Sequence, residues 1–356
     1  MESLVMENLF GGIYKGKTVL ITGNTGFKGS WLALWLQKLG ANVIGYSLPA
    51  PTNPSHFEIL KTDYETITGN ILELNFLKQN LSQIKPVIVF HLAAQSLVRE
   101  SYLDAVNTYE TNVIGTLNVF ESARNCESVK AIVNVTTDKV YRNSETQKAF
   151  SENDALGGHD MYSSSKACSE ILTESYRKSF FDNSGILLAS ARAGNVIGGG
   201  DWSNDRLIPD VVKATGTRKK VMIRYPDSIR PWQHVLEPLS GYLFLGKKLL
   251  EEKQEFAKGW NFGPQLSDCV SVKTILKGIS AIWQDVQWEI DQNENPHETQ
   301  MLMLDSAAAK KELHWKPVWN LGQALSKTME WYKSYYSDKK ILTEIQLDVY
   351  SSMIAK

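Results

Sequence analysis

Lys17-Thr-Val-Leu-Ile-Thr22-Gly23-Asn-Thr-Gly26-Phe-Lys-Gly29-Ser30-Trp-Leu-Ala-Leu-Trp-Leu-Gln-Lys-Leu39 decides the fold. Residues 17–22 form a short β-rich run, and residues 30–39 carry apolar side chains at helical spacing. Between them stand three glycines in the pattern Gly-x-x-Gly-x-x-Gly. A strand that runs through a glycine turn into a helix is the opening unit of a dinucleotide-binding sheet. One glycine permits the tight turn, one lets the backbone approach a pyrophosphate, and one allows the helix to pack on the sheet. The phosphates then lie at the helix N-terminus.

The units that follow extend the same theme. Residues 42–47 read as a second strand, 65–69 as a third and 86–91 as a fourth. The second ends in Tyr46-Ser47-Leu48, with neither the acid that would bond a ribose diol nor an arginine for a 2′-phosphate, so it does not separate NAD from NADP. A proline-rich loop spans 49–54. The fourth strand runs into Leu92-Ala93-Ala94-Gln95-Ser96, where small residues let a ligand approach the backbone. Residues 105–125 have helical periodicity and cross over to a β-branched strand at 131–137, and 185–192 read as a sixth strand. Strands alternating with helices predict an α/β protein with a doubly wound parallel sheet. From the glycine loop at 194–202 the alternation breaks down. A smaller mixed lobe is expected at about 194–300, carrying Arg206, Arg230, Trp232, His234 and the Trp260 to Pro264 segment. Arginines beside aromatics suit a nucleotide diphosphate. An amphipathic helix is expected at 320–336.

Chemistry concentrates between residues 131 and 166. The fifth strand ends in Thr137-Asp138-Lys139, two opposite charges where an apolar run stops. After a polar loop comes Tyr162-Ser-Ser-Ser-Lys166, whose spacing of four sets phenol and ammonium on one helix face. A phenol that ionises near pH 10 is a poor base, and a neighbouring ammonium or a cationic ring docked beside it favours the phenolate. The apolar stripe of Ala167, Cys168, Ile171, Leu172 and Tyr176 on the same helix serves a core or a subunit seam.

Composition excludes other classes. A net charge of −1 and a pI near 6.6 leave nothing to hold nucleic acid or an anionic membrane. Cys126, Cys168 and Cys269 are scattered, so neither a disulfide framework nor a zinc site is expected, and histidine spacing implies no metal. The first residues lack a basic, then apolar, export signal, which leads us to expect a cytoplasmic protein.

The combination Gly23-x-x-Gly26-x-x-Gly29, His91-Leu-Ala-Ala, Thr137-Asp-Lys139, Tyr162-x-x-x-Lys166 and Arg192-x-Gly-Asn195-Val-x-Gly resembles the extended short-chain dehydrogenase/reductases, and within them the nucleotide-sugar 4,6-dehydratases. Lys139 stands where hexose dehydratases of deoxythymidine-diphosphate glucose usually carry Glu. That departure, with the segments 46–52 and 229–235, is similar to the branch acting on CDP-glucose. The resemblance implies a Rossmann dinucleotide-binding domain over 1–193 and a mainly nucleotide-sugar-binding lobe over 194–356 interleaved with the sheet. It implies NAD held by Gly23, Gly26, Phe27, Gly29, Asn70, Ile71, Leu92, Ala93, Ala94, Asn112, Tyr162 and Lys166. Substrate contacts fall to Gln95, Ser96, Asn195, Arg206, Arg230 and His234. Tyr162 with Lys166 would remove the 4-hydroxyl proton, Thr137 orient that oxygen, Asp138 protonate the departing 6-hydroxyl and Lys139 take the C5 proton. For that division of labour Asp138 and Lys139 must act as a coupled pair, the acid protonated and the amine partly neutral. Family members pair through the Tyr-x-x-x-Lys helix, so a homodimer or homotetramer is implied. Two rival readings remain: a nucleotide-sugar 4-epimerase, which has no use for an acid at C6, and an NAD(P)-sensing regulator, which has no use for the tyrosine.

Overall fold

Seven parallel strands, β1 (Thr18–Thr22), β2 (Asn42–Ser47), β3 (Glu65–Thr68), β4 (Ile88–His91), β5 (Ala131–Val135), β6 (Leu187–Ala193) and, after four short strands, β11 (Gly259–Phe262), make one sheet. Its order is β11-β6-β5-β4-β1-β2-β3. The computed structural model describes residues 6–143, 148–293 and 299–355. Met1 to Val5, on which the reading of the N-terminus rests, and residues 294–298 of the expected lobe lie outside the described residues.

Period-two alternation distributes the core between the two faces. Val19, Ile21, Ile88, Phe90, Val133 and Ala189 pack with Trp31, Trp35, Leu239, Leu243, Leu347 and Tyr350 from the helices Phe27–Lys38, Leu236–Leu250 and Thr343–Ile354. The residues between them, Leu20, Val89, Ile132 and Leu188, pack on the other face with Leu77, Leu81, Val119, Phe120 and Tyr176 from the helices Leu74–Ile84, Gly115–Arg124 and Met161–Tyr176. Continuous apolar strands follow from burial on both faces.

The four short strands are β7 (Val196–Ile197), β8 (Val221–Ile223), β9 (Ile229–Pro231) and β10 (Gln233–His234). They lie beside a second core of Trp202, Ile208, Val211, Ile275, Ile279, Trp331 and Tyr332. The chain beyond residue 194 serves both bodies. Trp260 and Asn261, expected in the lobe, lie on β11 at the sheet edge in register with Ala191 and Arg192. Both are fully buried. The helix expected at 320–336 is present at Leu321–Asp338 and opens on a capping box between Asn320 and Gln323. The crossover expected at 105–125 comprises the helices Ala105–Tyr109 and Gly115–Arg124 joined by a π-helical turn at Glu110–Ile114.

Strand order reverses between β1 and β4: β2 and β3 lie to one side, β5, β6 and β11 to the other. In open α/β sheets, the crevice beyond the carboxyl ends of the strands at such a reversal is where ligands bind. No helix among the described residues is long and apolar enough to cross a membrane.

Candidate active site

The crevice opens into a cleft of about 1110 Å³ lined from the sheet ends on one side and the lobe on the other. Its floor is the glycine turn. Gly23 has φ +77°, and a Cβ there would stand 2.7 Å from the Ala93 nitrogen, so the β1 turn and the β4 turn touch backbone to backbone. A Cβ on Gly29 would fall 2.1 Å from the Gly23 carbonyl oxygen. These two glycines bring the first turn of the helix Phe27–Lys38 down onto the strand end, so that Phe27, Lys28 and Gly29 line the cleft at the helix N-terminus. Gly26, Phe27, Asn70, Ile71, Leu92, Ala93 and Ala94 line the same region. In place of a ribose acid, β2 ends in Ser47, whose hydroxyl lies 2.9 Å from that of Thr25. The cradle fits a dinucleotide: it is a close-approach backbone surface at a helix N-terminus, with room beside it for a second ligand.

The wall that carries Thr137, Asp138, Lys139, Tyr162 and Lys166 is built by β5 and the helix that follows its loop. Asp160 caps that helix, accepting from the Ser163 N–H at 2.8 Å, and the Tyr162 N–H donates to Ser101 Oγ at 3.0 Å. Tyr162 is thereby fixed in the first turn. Thr137 Oγ1 donates to Asp138 Oδ1 at 2.9 Å, and Lys139 Nζ reaches the same oxygen at 3.3 Å. Asp138 is fully buried, and its Oδ2 has no partner among the described residues. Lys166 Nζ donates to the Val135 carbonyl at 3.4 Å. Thr137, Asp138, Lys139, Tyr162 and Lys166 all line the cleft, so five residues read from two separated motifs share one wall.

Electrostatics correct one expectation. Burial pushes the Tyr162 phenol up to about 12, against the Thr137 side chain and the Arg206 cation, which both favour its ionised form. Burial also draws the Lys166 ammonium down to about 8. Lys166 alone therefore does not deliver a phenolate near neutral pH, because the desolvation that surrounds the pair opposes both charges.

Across the cleft stand Gln95, Ser96, Asn195, Arg206 and Arg230. Arg206 is held by Asp201 Oδ2 at 3.1 Å and donates to Ser96 Oγ at 2.9 Å. Arg230 spends Nη1 on the Ile229 and Gln300 carbonyls. Asn195 Oδ1 is buried with no partner among the described residues. The Gln95 side chain braces its own loop, accepting from the Leu97 N–H at 2.6 Å and donating to Thr108 Oγ1 at 2.9 Å.

Two expected site residues lie elsewhere. His234, read as a substrate ligand, is fully buried, its ring 4.8 Å from that of Trp319 and 5.9 Å from that of Trp31. Desolvation holds it neutral, down to about 3. Asn112, read as a cofactor ligand, turns inward: its Oδ1 accepts from the Gln95 N–H and its Nδ2 donates to the Gln95 carbonyl and to Ser165 Oγ, each at 2.9 Å. It clamps the loop that carries Gln95 while its neighbour Thr111 lines the cleft.

One cleft residue escaped the sequence reading. Lys28 lines the cleft, has no hydrogen-bond or ion-pair partner among the described residues, and is brought down to about 7 by burial and then by Arg206. The available signal was a cation in the first turn of a helix, where the dipole disfavours it. An anionic ligand resolves that conflict.

The model of the GDP-mannose 4,6 dehydratase family matches residues 20–328. The chain is 45% identical over 337 residues to a CDP-glucose 4,6-dehydratase of Salmonella typhimurium, covering 92% of this chain and 94% of that protein. Among solved structures, an epimerase of Methanothermobacter thermautotrophicus superposes with a TM-score of 0.81 at 22% identity, over 94% of this chain and 96% of the other. The NAD complex of dTDP-glucose 4,6-dehydratase from Bacillus anthracis does so at 0.74 and 23%, over 90% and 97%. At that identity the two structures speak for the fold, while the sequence matches reach further. Fold, motifs in order and near full-length similarity agree: this chain belongs to the GDP-mannose 4,6-dehydratase family, a branch of the extended short-chain dehydrogenase/reductases.

Proposed function

We propose that the protein is a hydro-lyase that dehydrates CDP-D-glucose to CDP-4-dehydro-6-deoxy-D-glucose, with NAD as a recycled cofactor. The observation that carries the reading is the acid Asp138 on the same cleft wall as Tyr162, its Oδ2 unpaired among the described residues. An epimerase has no need of an acid there. Its similarity to the Salmonella CDP-glucose enzyme selects the nucleotide.

Bound NAD+ supplies a hydride acceptor and, once reduced, the donor that returns the same hydride. Gly23, Gly26, Phe27, Gly29, Asn70, Ile71 and Leu92 to Ala94, which line the cleft, would hold it, and Asn112 would act through the Gln95 loop. Tyr162 removes the proton from the sugar's 4-hydroxyl, while Thr137 orients that oxygen. The 4-ketone acidifies C5. Lys139 takes the C5 proton, and Asp138 gives a proton to the departing 6-hydroxyl, so water leaves across C5 and C6. A proton at C5, with that hydride handed back at C6, would complete the product. Arg206, Arg230 and Asn195 face the diphosphate and sugar, and Lys28 adds an unpaired cation. Residues 1–193 serve the dinucleotide and 194–356 chiefly the nucleotide sugar.

We assign the product to deoxysugar supply for surface polysaccharide such as O-antigen, made in the cytoplasm. A homodimer, or a tetramer built from it, is supported by the exposed Leu103, Val106, Ile114, Met161 and Ile171 on the helices around the Tyr162 wall. The deciding experiment uses CDP-glucose deuterated at C4. Label recovered at C6 with solvent hydrogen at C5 means dehydratase; label kept at C4 of an inverted sugar means epimerase; cofactor binding without turnover means a sensor.

A further inference from the structure

Behind the catalytic wall lies a charged cluster that the reaction scheme leaves unused. Glu170 sits one helical turn beyond Lys166 and is 3% exposed. Thr136 Oγ1 donates to its Oε1, and Ser190 Oγ and Arg192 Nη2 both donate to its Oε2 at 2.7 Å. Arg192 Nη1 continues to the Tyr141 hydroxyl at 2.8 Å, which donates to Asn261 Oδ1 at 2.6 Å. The turn after β5, the Tyr162 helix, β6 and β11 are thus joined through one buried carboxylate. Burying an ion pair is an inefficient route to stability, since apolar residues of the same volume serve as well. A second role is called for, and two positions supply it. Thr136 directly precedes Thr137-Asp138-Lys139, and Lys166 stands four residues before Glu170 on the same helix.

We infer that Glu170 is a positioning residue for the reaction proposed above, on which this inference rests. It ties the Thr136–Lys139 turn to the Tyr162–Lys166 helix and keeps an anion beside the Lys166 ammonium. The groups facing Lys166 agree with this. Lys28 from the glycine-turn helix repels it, His91 at the end of β4 is neutral, and Glu170 is the group that favours its charged form against burial.

The test compares wild type with Glu170→Gln, Glu170→Gln/Arg192→Met and Thr136→Val. Lys166 is titrated by NMR of isotope-labelled lysine in cofactor-free protein. Carbon-4 oxidation and C5 hydrogen exchange are timed separately with CDP-glucose and NAD+. Glu170→Gln should lower the Lys166 midpoint by about one pH unit, since the anion is lost from its side and the Arg192 cation it paired with is left unopposed. The alkaline limb of kcat should move by the same amount, with KM changed by less than about threefold. The double variant, which removes both charges, should return most of that shift. Thr136→Val keeps the charge and should leave the midpoint alone while slowing C5 exchange roughly tenfold relative to C4 oxidation. An unmoved midpoint in Glu170→Gln, or both steps slowed alike in Thr136→Val, reduces the cluster to a stability element and overturns the inference. Should Glu170→Gln not fold, Glu170→Asp, which retains the charge at a shorter reach, must reproduce the Thr136→Val pattern or the inference fails. If wild type moves no label from C4 to C6, the dehydratase reading falls instead, and the Lys166 titration still decides the charge role.

Discussion

Replacing Lys139 with Met should divide the reaction in two. The Lys139 ammonium lies 3.3 Å from Asp138 Oδ1, about a quarter exposed, whereas Asp138 is closed off. The turn itself does not depend on that side chain: the Lys139 N–H donates to Thr137 Oγ1 at 3.4 Å, and Thr137 Oγ1 donates to Asp138. Methionine keeps the length and the apolar stem. Were both groups charged, the gross attraction at this separation would be about 5 kcal/mol with an effective dielectric of ~20. With the acid protonated and the amine neutral, as elimination needs, only a hydrogen bond is left. Desolvation of Asp138 and solvent screening of Lys139 offset most of the charged pair's attraction, so a net stability loss below about 2 kcal/mol is expected and the variant folds. Oxidation at C4, assigned in our proposal to Tyr162 and Lys166, should stay within roughly tenfold of wild type. Loss of the C5 base should slow elimination by roughly 10²–10⁴, or about 3–5 kcal/mol of barrier. In a single turnover with CDP-glucose and NAD+, reduced cofactor should therefore accumulate, while NMR in deuterated water finds no label at C5. A variant that incorporates solvent deuterium at C5 and releases the 6-deoxy product at the wild-type rate removes Lys139 from the role of base.

Three further outcomes follow from the same site. Burial holds the Tyr162 phenol up to about 12, so it stabilises the fold below the unfolded value near pH 10, and that contribution is lost as pH rises through about 12. In ultraviolet titration a tyrosinate band absent from Tyr162→Phe should appear at lower pH when NAD+ is added; an unchanged midpoint counts against a phenolate base. Lys166 is drawn down to about 8, so the folded state binds fewer protons than the unfolded chain between about pH 8 and 10, and stability from this group rises with pH over that window. Lys166→Met should therefore abolish turnover yet raise stability at pH 7 by about 1–3 kcal/mol in urea melts, with the gain gone near pH 10; a loss at pH 7 contradicts the burial argument. Gly29→Ala places a methyl 2.1 Å from the Gly23 oxygen, so the turn must open. Calorimetry should show NAD+ affinity reduced by roughly 100-fold or more, and unchanged affinity would mean the cradle lies elsewhere.

What the amino-acid order determined alone was local. The 17–39 unit, the alternation of strands with helices and the Tyr162/Lys166 spacing depend on periods of two and 3.6, and on glycine at turns that bar a Cβ. They are legible because each is decided within about a helix length of chain. Thr137 to Lys139 could be placed beside Tyr162 only through a family resemblance, since a loop of unstated path separates them. Tertiary structure decided which way ambiguous residues face. His234 went inward because β10 pairs with β7, which seats its ring among Trp31 and Trp319. Asn112 was turned to brace Gln95, Lys28 was swung into the cleft, and β11 was carried from the expected lobe to the sheet edge. The Glu170 cluster draws on positions 136, 141, 170, 190, 192 and 261. No local pattern encodes such a set: its members become neighbours only when β5, β6 and β11 pair, and an isolated Glu in a helix otherwise reads as a solvated face.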